Sequence, residues 1–404
     1  MSPIEARFLE RICASPDDDA PRLIYADWLD ERSDARGEFI RLQIALARLP
    51  ADDPRRTELV NRESTLLTRY RTKWSEPLRG MTGSSDFVRG FIETAVVDAR
   101  TFLRRGDDLF RLTPLRHVRL LDVGSSLTRL MASPNLARLS AITIFAQHID
   151  DRLTRALVDS PHLDNLRSLN IARNRVGDRG VEQLAWSPRF RNLIELNLSD
   201  NAIGDTGLRA IAESSNLARL QSLELRRNEI SRAGLRSLCA SGTLRELKYL
   251  CAALNYIGTH QDGSMPATSA VALDTLDLSE NGLTPQGVQW VTTLPGLGNL
   301  KRLVLERNEV GNAGAALLAR WSGAAPVQSL LLSTNSIGDT GARALSRSNY
   351  FHQLVELDLS DNPIHDPGAF AFLNAGSLPR LKRLGLPNLG LTPQVRRALA
   401  ARYS

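Results

Sequence analysis

The sequence predicts an α/β solenoid, coiled right-handed, with a parallel sheet on the concave side and helices on the convex side, preceded by a small all-α domain. Three observations predict it. An asparagine recurs at Asn174, Asn201, Asn228, Asn255, Asn281, Asn308, Asn335 and Asn362, with every gap 27 residues except one of 26. Leucines hold fixed offsets before each, as in Leu193-x-x-Leu196-x-Leu198-x-x-Asn201-x-Ile203 and Leu354-x-x-Leu357-x-Leu359-x-x-Asn362-x-Ile364. Self-similarity at such a period marks stacked repeats. Residues 1–80, by contrast, carry no trace of the period.

That first segment reads as helices. Apolar residues from Ile4 to Cys13 stand at helical spacing. Asp17-Asp18-Asp19 places negative charge before a second helix near Pro21, where a helix dipole favours it. This helix carries Leu23, Ile24, Trp28 and Leu29 on one side. A third helix is predicted from Gly37 to Leu49 and a fourth from Pro54 to Lys73. Residues 81–111 then give a strand (Phe91 to Val97) and a helix (Arg100 to Leu112). The pair would cover the open edge of the first repeat. The predicted divisions are 1–50, a helical domain; 51–80, a connecting helix; 81–135, the cap and a degenerate first repeat; 136–380, the repeats; and 381–404, a capping repeat. The sequence leaves open whether residues 1–80 dock or swing on a hinge near Gly80 to Ser85.

Each repeat is built the same way. Leu-x-Leu alternates with period two, so it is a short strand with one face buried. The asparagine amide can bond backbone groups at the strand end, and stacked copies would form a ladder. A helix follows: Asp in Gly204-Asp205-Thr206-Gly207 is the predicted cap, and Thr284-Pro285 and Thr392-Pro393 are alternative starts. Ser133-Pro134, Ser160-Pro161 and Ser187-Pro188 are the predicted helix stops. Parallel strands require such a crossover, and one repeat alone cannot bury its leucines.

These motifs resemble the leucine-rich repeat family, in particular its long, helix-containing ribonuclease-inhibitor-like subtype, in about eleven units. The first two, Leu115-x-x-Val118-x-Leu120 and Leu139-x-x-Ile142-x-Ile144, are degenerate, and Gln147 stands on the asparagine register of the second. The last, Leu381-x-x-Leu384-x-Leu386, has Leu389 where asparagine belongs, then a helix with Arg396, Arg397 and Arg402, as a C-terminal cap would. The run Pro16-Asp17-Asp18-Asp19-Ala20-Pro21-Arg22-Leu23-Ile24-Tyr25-Ala26-Asp27-Trp28-Leu29-Asp30-Glu31-Arg32, continued by Arg36-Gly37-Glu38-Phe39-Ile40-Arg41-Leu42-Gln43, resembles the bacterial repeat-companion domain. The resemblance covers about residues 5–49 and implies an architecture without implying an activity.

Composition narrows the function classes. The net charge is +6, yet only four of the 51 basic residues are lysine, a skew that a GC-rich genome explains. On the predicted inner face acidic repeats (Asp274, Asp277, Glu280; Glu356, Asp358, Asp361) alternate with basic ones (Arg226, Arg227; Lys301, Arg302, Arg307), without the continuous basic stripe of a nucleic-acid binder. No apolar run is long enough to span a bilayer, and the first residues lack the profile of a secretion signal. Three scattered cysteines suggest no disulfide framework, so a reducing cytoplasm and a monomeric chain are expected. No phosphate loop, His-Glu-x-x-His or Cys-x-x-Cys is present. No catalytic residue, metal site or cofactor is therefore predicted; the recurring Gly-Asp pairs read as helix caps and Cys13 as core.

The remaining candidate site lies in the repeat Leu247-Lys248-Tyr249-Leu250-Cys251-Ala252-Ala253-Leu254-Asn255, where Tyr249, Cys251 and Leu254 take predicted exposed positions. Arg226 and Arg227 precede them, and Asp277, Glu280 and Arg307 follow: an apolar centre with a charged rim, the pattern of an interface. Gly258 to Pro266 lacks the expected helix. The reading is a non-enzymatic scaffold that binds an unidentified protein partner through its concave face. Alternatives are a GTPase-activating regulator, a nuclease-inhibitor-like binder, which fits poorly because such inhibitors are acidic and cysteine-rich, and a host-directed effector.

Overall fold

The computed structural model describes residues 2–50, 52–258, 271–373, 375–387 and 390–403. It divides into two compact units, residues 1–147 with 159–170, and 148–158 with 171–404.

The first unit opens with four helices, α1 (Pro3–Ala14), α2 (Ala20–Asp30), α3 (Arg36–Arg48) and α4 (Arg56–Ser75). Strands β1 (Ser85–Val88) and β2 (Phe91–Asp98) follow, then α5 (Ala99–Leu112), β3 (His117–Leu121), α6 (Leu127–Met131), β4 (Ala141–Thr143) and β5 (Ser168–Asn170). β1 and β2 form an antiparallel hairpin, and β2 through β5 pair in parallel, in chain order.

α1 is held by a capping box: Glu5 N–H donates to Ser2 Oγ, and Ser2 N–H to Glu5 Oε2. α2 departs from expectation. Its buried face is Arg22, Tyr25, Ala26 and Leu29, whereas Ile24 is 52% exposed. The i, i+3, i+4, i+7 phase runs through an arginine because Arg22 finds a carboxylate, Glu93 of β2, at 2.8 Å.

The helices pack against the hairpin that follows them. Ser85 belongs to β1, and Phe91 of β2 joins one core with Leu9, Ile12, Tyr25, Ile40 and Ile44 of the helices. At the turn, Gly90 has φ +88°, and a Cβ there would lie 2.2 Å from Ile40 Cγ1. Its N–H donates to Gln43 Oε1 at 2.7 Å. Helical module and hairpin are thus one packed body.

The second unit contains α7 (Arg152–Asp159), α8 (Asp178–Ala185), β6 (Glu195–Asn197), α9 (Asp205–Glu213), β7 (Ser222–Glu224), α10 (Arg232–Cys239) and β8 (Tyr249–Cys251). After residues 259–270, which lie outside the description together with the loop expected there, come β9 (Thr275–Asp277), α11 (Pro285–Val291), β10 (Arg302–Val304), α12 (Gly311–Ala319) and β11 (Ser329–Leu331). α13 (Asp339–Ser346), β12 (Glu356–Asp358), α14 (Asp366–Leu373), β13 (Arg383–Gly385) and α15 (Pro393–Arg402) complete it. Position 389, expected to replace the last asparagine, is also outside the described residues. Strands β6 through β13 pair in parallel with equivalent leucines opposite one another: Leu196, Leu223, Leu250, Leu276, Leu303, Leu330, Leu357, Leu384.

Three rows of polar side chains join successive repeats. In the first, each asparagine bonds its own turn and the repeat before it. Asn228 Nδ2 donates to Leu225 O and Leu198 O, and its Oδ1 accepts from Ile203 N–H. The residue before each asparagine is left-handed, from Arg173 (φ 55°) to Asp361 (φ 55°), which turns the chain at that point.

The second row corrects the predicted capping. Gly177, Gly204 and Gly338 are the N-caps, and the aspartate after each is already helical. Asp178 instead reaches the next helix, accepting from Gly204 N–H (2.7 Å) and Gly207 N–H (3.0 Å). Asp339 treats His365 and Gly368 alike, and Asn312 substitutes for it toward Gly338 and Gly341. This arrangement requires the second glycine of the motif: a Cβ on Gly207 would stand 2.7 Å from Asp178 Oδ1. We therefore expect Gly207→Ala to cost about 1–3 kcal/mol by overpacking. The double variant Asp178→Ala/Gly207→Ala should cost less than the sum of the singles, because alanine otherwise suits a helix better than glycine. Urea unfolding of the four proteins checks it; additive costs would reject the contact.

The third row lies where the helices end. Of the Ser-Pro serines, Ser160 does more than stop a helix. Ser160 Oγ donates to Met131 O in the first unit, and in the second Ser214, Ser241 and Ser348 donate to Ala185 O, Ala212 O and Ala319 O.

Candidate strand-face site

On strands β6 to β13 the residues that alternate with the buried leucines form the outward rows. Most are polar or charged, as in Glu195 and Asn197, Ser222 and Glu224, Glu356 and Asp358. The candidate repeat departs from this, but less openly than expected. Tyr249 and Leu254 are half-buried, and Cys251 is only 4% exposed rather than open to solvent. Strands lie under 5 Å apart, so outward side chains of adjacent repeats pack on one another. Cys251 Sγ sits 3.7 Å from Asp277 Oδ2. Burial raises the Tyr249 hydroxyl above its ordinary pKa, helped by Glu224 and Asp277. Leu254 takes the left-handed position (φ 53°) that Asp200, Arg227 and Glu280 take in neighbouring repeats.

The charged rim is partly paired. Arg226 Nη2 meets Glu280 Oε1 at 2.8 Å, two repeats away, across the small Ala253. Arg302 reaches Glu356 at 3.1 Å in the same manner across Ser329, whose hydroxyl accepts from Arg302 and donates to Glu356. That hydroxyl bond first, then Arg383 and Arg302, hold the Glu356 carboxyl below the ordinary range. Arg227 turns back toward Asp200 at 3.6 Å. The sign alternation read from the sequence is therefore cross-repeat pairing. Arg307 stands apart from these pairs, bordering a shallow cleft of about 370 Å³ with Thr334 and Asp361.

Sequence reasoning missed a second apolar break. Val304 and Leu331 are opposite each other in the outward row that holds Cys251, flanked by Asp277 and Asp358. The register test that found Cys251 finds them too. Beside them Glu306 has a raised pKa, first from burial and then from Asp358 and Asp277. The outward rows thus combine an apolar strip with carboxylates whose charge is only partly compensated.

Among the described residues no group of three or more His, Cys, Asp or Glu side chains could hold a metal ion. No helix among them is long and apolar enough to cross a membrane. None of the three cysteines forms a disulfide. Burial pushes the thiol of Cys13 up to about 11, and those of Cys239 and Cys251 up to about 12. At pH 8 all three are therefore thiols, and thiolate appears only as pH rises toward these values. Iodoacetamide labelling of the native chain at pH 8 is expected to run about a hundredfold or more below that of a free cysteine, with denaturation restoring the ordinary rate. A rapidly labelled native cysteine would contradict this.

Residues 162–185, 191–212, 219–239, 299–319, 325–346 and 352–373 each match the leucine-rich repeat family model. These repeats are leucine-rich repeats. Solved structures similar to the chain include an internalin C2 from Listeria monocytogenes (19% identity, 62% of this chain and 82% of that chain, TM-score 0.32). A second internalin of that organism, inlF, is 18% identical over 74% of this chain and 87% of that one, with TM-score 0.35. A TLR13–ssRNA13 complex is 18% identical over 67% of this chain and 39% of that one, with TM-score 0.40. No curated protein matches the sequence.

Proposed function

We propose that the chain is a non-enzymatic scaffold whose leucine-rich-repeat strand face binds a protein partner. The observation that carries this reading is the break in the outward rows: Tyr249, Cys251 and Leu254, then Val304 and Leu331, interrupt an otherwise polar face and are framed by Arg226, Arg227, Asp277, Glu280 and Arg307. Apolar centres with charged surrounds are where interface energy concentrates. The excess of carboxylates around Glu306 favours a partner presenting basic groups and disfavours nucleic acid, whose phosphates it would repel. The 27-residue repeat with a helix supports the ribonuclease-inhibitor-like subtype, and residues 5–49 support a bacterial repeat-companion module. Three cysteines without a disulfide fit a reducing, cytoplasmic setting, and we take the chain to act as a monomer.

The test is paired affinity capture from native cytosol. One bait is wild type, and the other carries Tyr249→Ala, Leu254→Glu and Arg227→Glu. Glutamate suits position 254 because Glu280 holds the same backbone conformation one repeat on (φ 56°). Circular dichroism first establishes that both are folded. A partner held by wild type and lost by the variant supports the site; one recovered equally by both rejects it.

A further inference from the structure

We propose that a cleft in the first unit, walled by α1 on one side and α5 on the other, binds a small organic anion with an apolar body. The cleft measures about 940 Å³, within the range of small-molecule sites. Its chemistry is divided. Ala14, Pro16, Pro77 and Leu112 give an apolar surface, and the almost fully buried Met81, Phe110 and Leu115 also line the cleft. Four guanidinium groups, from Arg105, Arg111, Arg116 and Arg138, line the same space against only two carboxylates, Glu10 and Asp108.

These cations are only partly neutralised by their surroundings. Arg105 and Arg111 share the single carboxylate of Asp108. Arg116 pairs at 3.3 Å with Asp17, which is itself well exposed and so screened by water. Arg138 lies with its Cζ 5.4 Å from the centre of the Phe110 ring. This places one guanidinium at the border between the apolar surface and the charged rim, where a ligand's head and body would meet. Guanidinium forks bind carboxylate and phosphate oxygens in pairs, and they do so more strongly beside an apolar wall that excludes water. Neither a bare anion nor a neutral hydrocarbon would use both halves of the cleft. The inference does not depend on the strand-face reading, since it uses residues of the other unit.

Isothermal titration calorimetry of the full chain with decyl phosphate, below its micelle concentration, tests the proposal. Decanoate, inorganic phosphate and decanol are run beside it. We expect one saturable site for decyl phosphate or decanoate, the stronger of the two naming the head group, with inorganic phosphate and decanol each at least about tenfold weaker. Arg111→Gln/Arg138→Gln should weaken binding at least about tenfold. Ala6→Trp, a change at an exposed position of α1 that fills the cleft, should abolish it by a route that leaves every charge in place. Circular dichroism verifies that both variants are folded. The proposal is overturned if neither amphiphile saturates, if inorganic phosphate binds as tightly as decyl phosphate, or if either folded variant binds like wild type.

Discussion

Asn281→Ala is expected to remove about 3–5 kcal/mol from the stability of the repeat unit, more than a single polar residue normally carries. Asn281 is 2% exposed. Its Oδ1 accepts from Asn255 N–H (3.2 Å) and Ile257 N–H (3.3 Å), and its Nδ2 donates to Ala252 O, Leu278 O and Ser279 O. One side chain therefore satisfies backbone groups of its own repeat and of the one before it. Alanine would leave Asn255 N–H and Ile257 N–H buried without partners, in a place that water does not reach, while the three carbonyls would each keep one other donor: Asn255 Nδ2, Asn308 Nδ2 and Leu254 N–H. Asn281→Asp separates this cause from loss of volume. Aspartate has nearly the same shape and keeps the acceptor, but it turns a carboxylate oxygen toward three carbonyls. Its cost should equal or exceed that of alanine. Asn281→Gln should be milder, since Gln147 at the equivalent register in the first unit still accepts from Val123 N–H and donates to Phe145 O. Stability of a repeat array is carried by neighbour interfaces. The loss should thus be visible as faster amide exchange on both sides of the substituted turn, as well as a lower urea midpoint. If Asn281→Asp were as stable as wild type, the hydrogen bonds would not be the source of the effect.

What was legible in the sequence follows from what repeats within one period. The leucines and asparagines recur with their meaning unchanged, so strand, turn and helix could be placed from the sequence alone. The aspartates were misread because their partner is not in their own repeat. Asp178 bonds residues 26 and 29 positions later, and the paired glycine of the next repeat was the available signal. The serine row was hidden behind proline. Ser214 and Ser241 hold the same register with no proline after them, which a helix stop does not explain. Cys251 looked exposed because alternation predicts direction and not coverage; its neighbours on adjacent strands cover it. Arg22 was passed over because a charged residue on a helix is normally solvated, and its partner Glu93 is 71 positions away in a strand.

That pair carries the other large expected effect. Glu93→Leu should destabilise the first unit by about 3–5 kcal/mol, because it strands a buried guanidinium. Arg22 is fully buried and lies 2.8 Å from Glu93 Oε1; its Nη2 donates to Pro16 O at 2.7 Å, and its Cζ lies 5.3 Å from the centre of the Phe91 ring. Glu93 is shared with Arg89, which in turn pairs with Asp19 at 3.4 Å. The network is thus the polar seam between the helical module and the hairpin. Burial raises the Glu93 pKa above the ordinary 4.5, against the pull of Arg22 and Arg89. A carboxyl that holds its proton more tightly when folded adds stability below its unfolded pKa. That addition is lost as pH rises from 4.5 through the folded value. Ionisation of Glu93 therefore adds no stability at neutral pH, and the pair penalises every arrangement in which one partner lacks the other. The double variant Arg22→Met/Glu93→Leu tests this directly. Replacing both charges with apolar groups of similar length should restore most of what Glu93→Leu alone removes, as buried ion pairs replaced together often are neutral. Guanidinium unfolding of wild type, both singles and the double gives the coupling. A near-additive double would mean that the two side chains stabilise the seam separately, and that their pairing is not what joins the module to the hairpin.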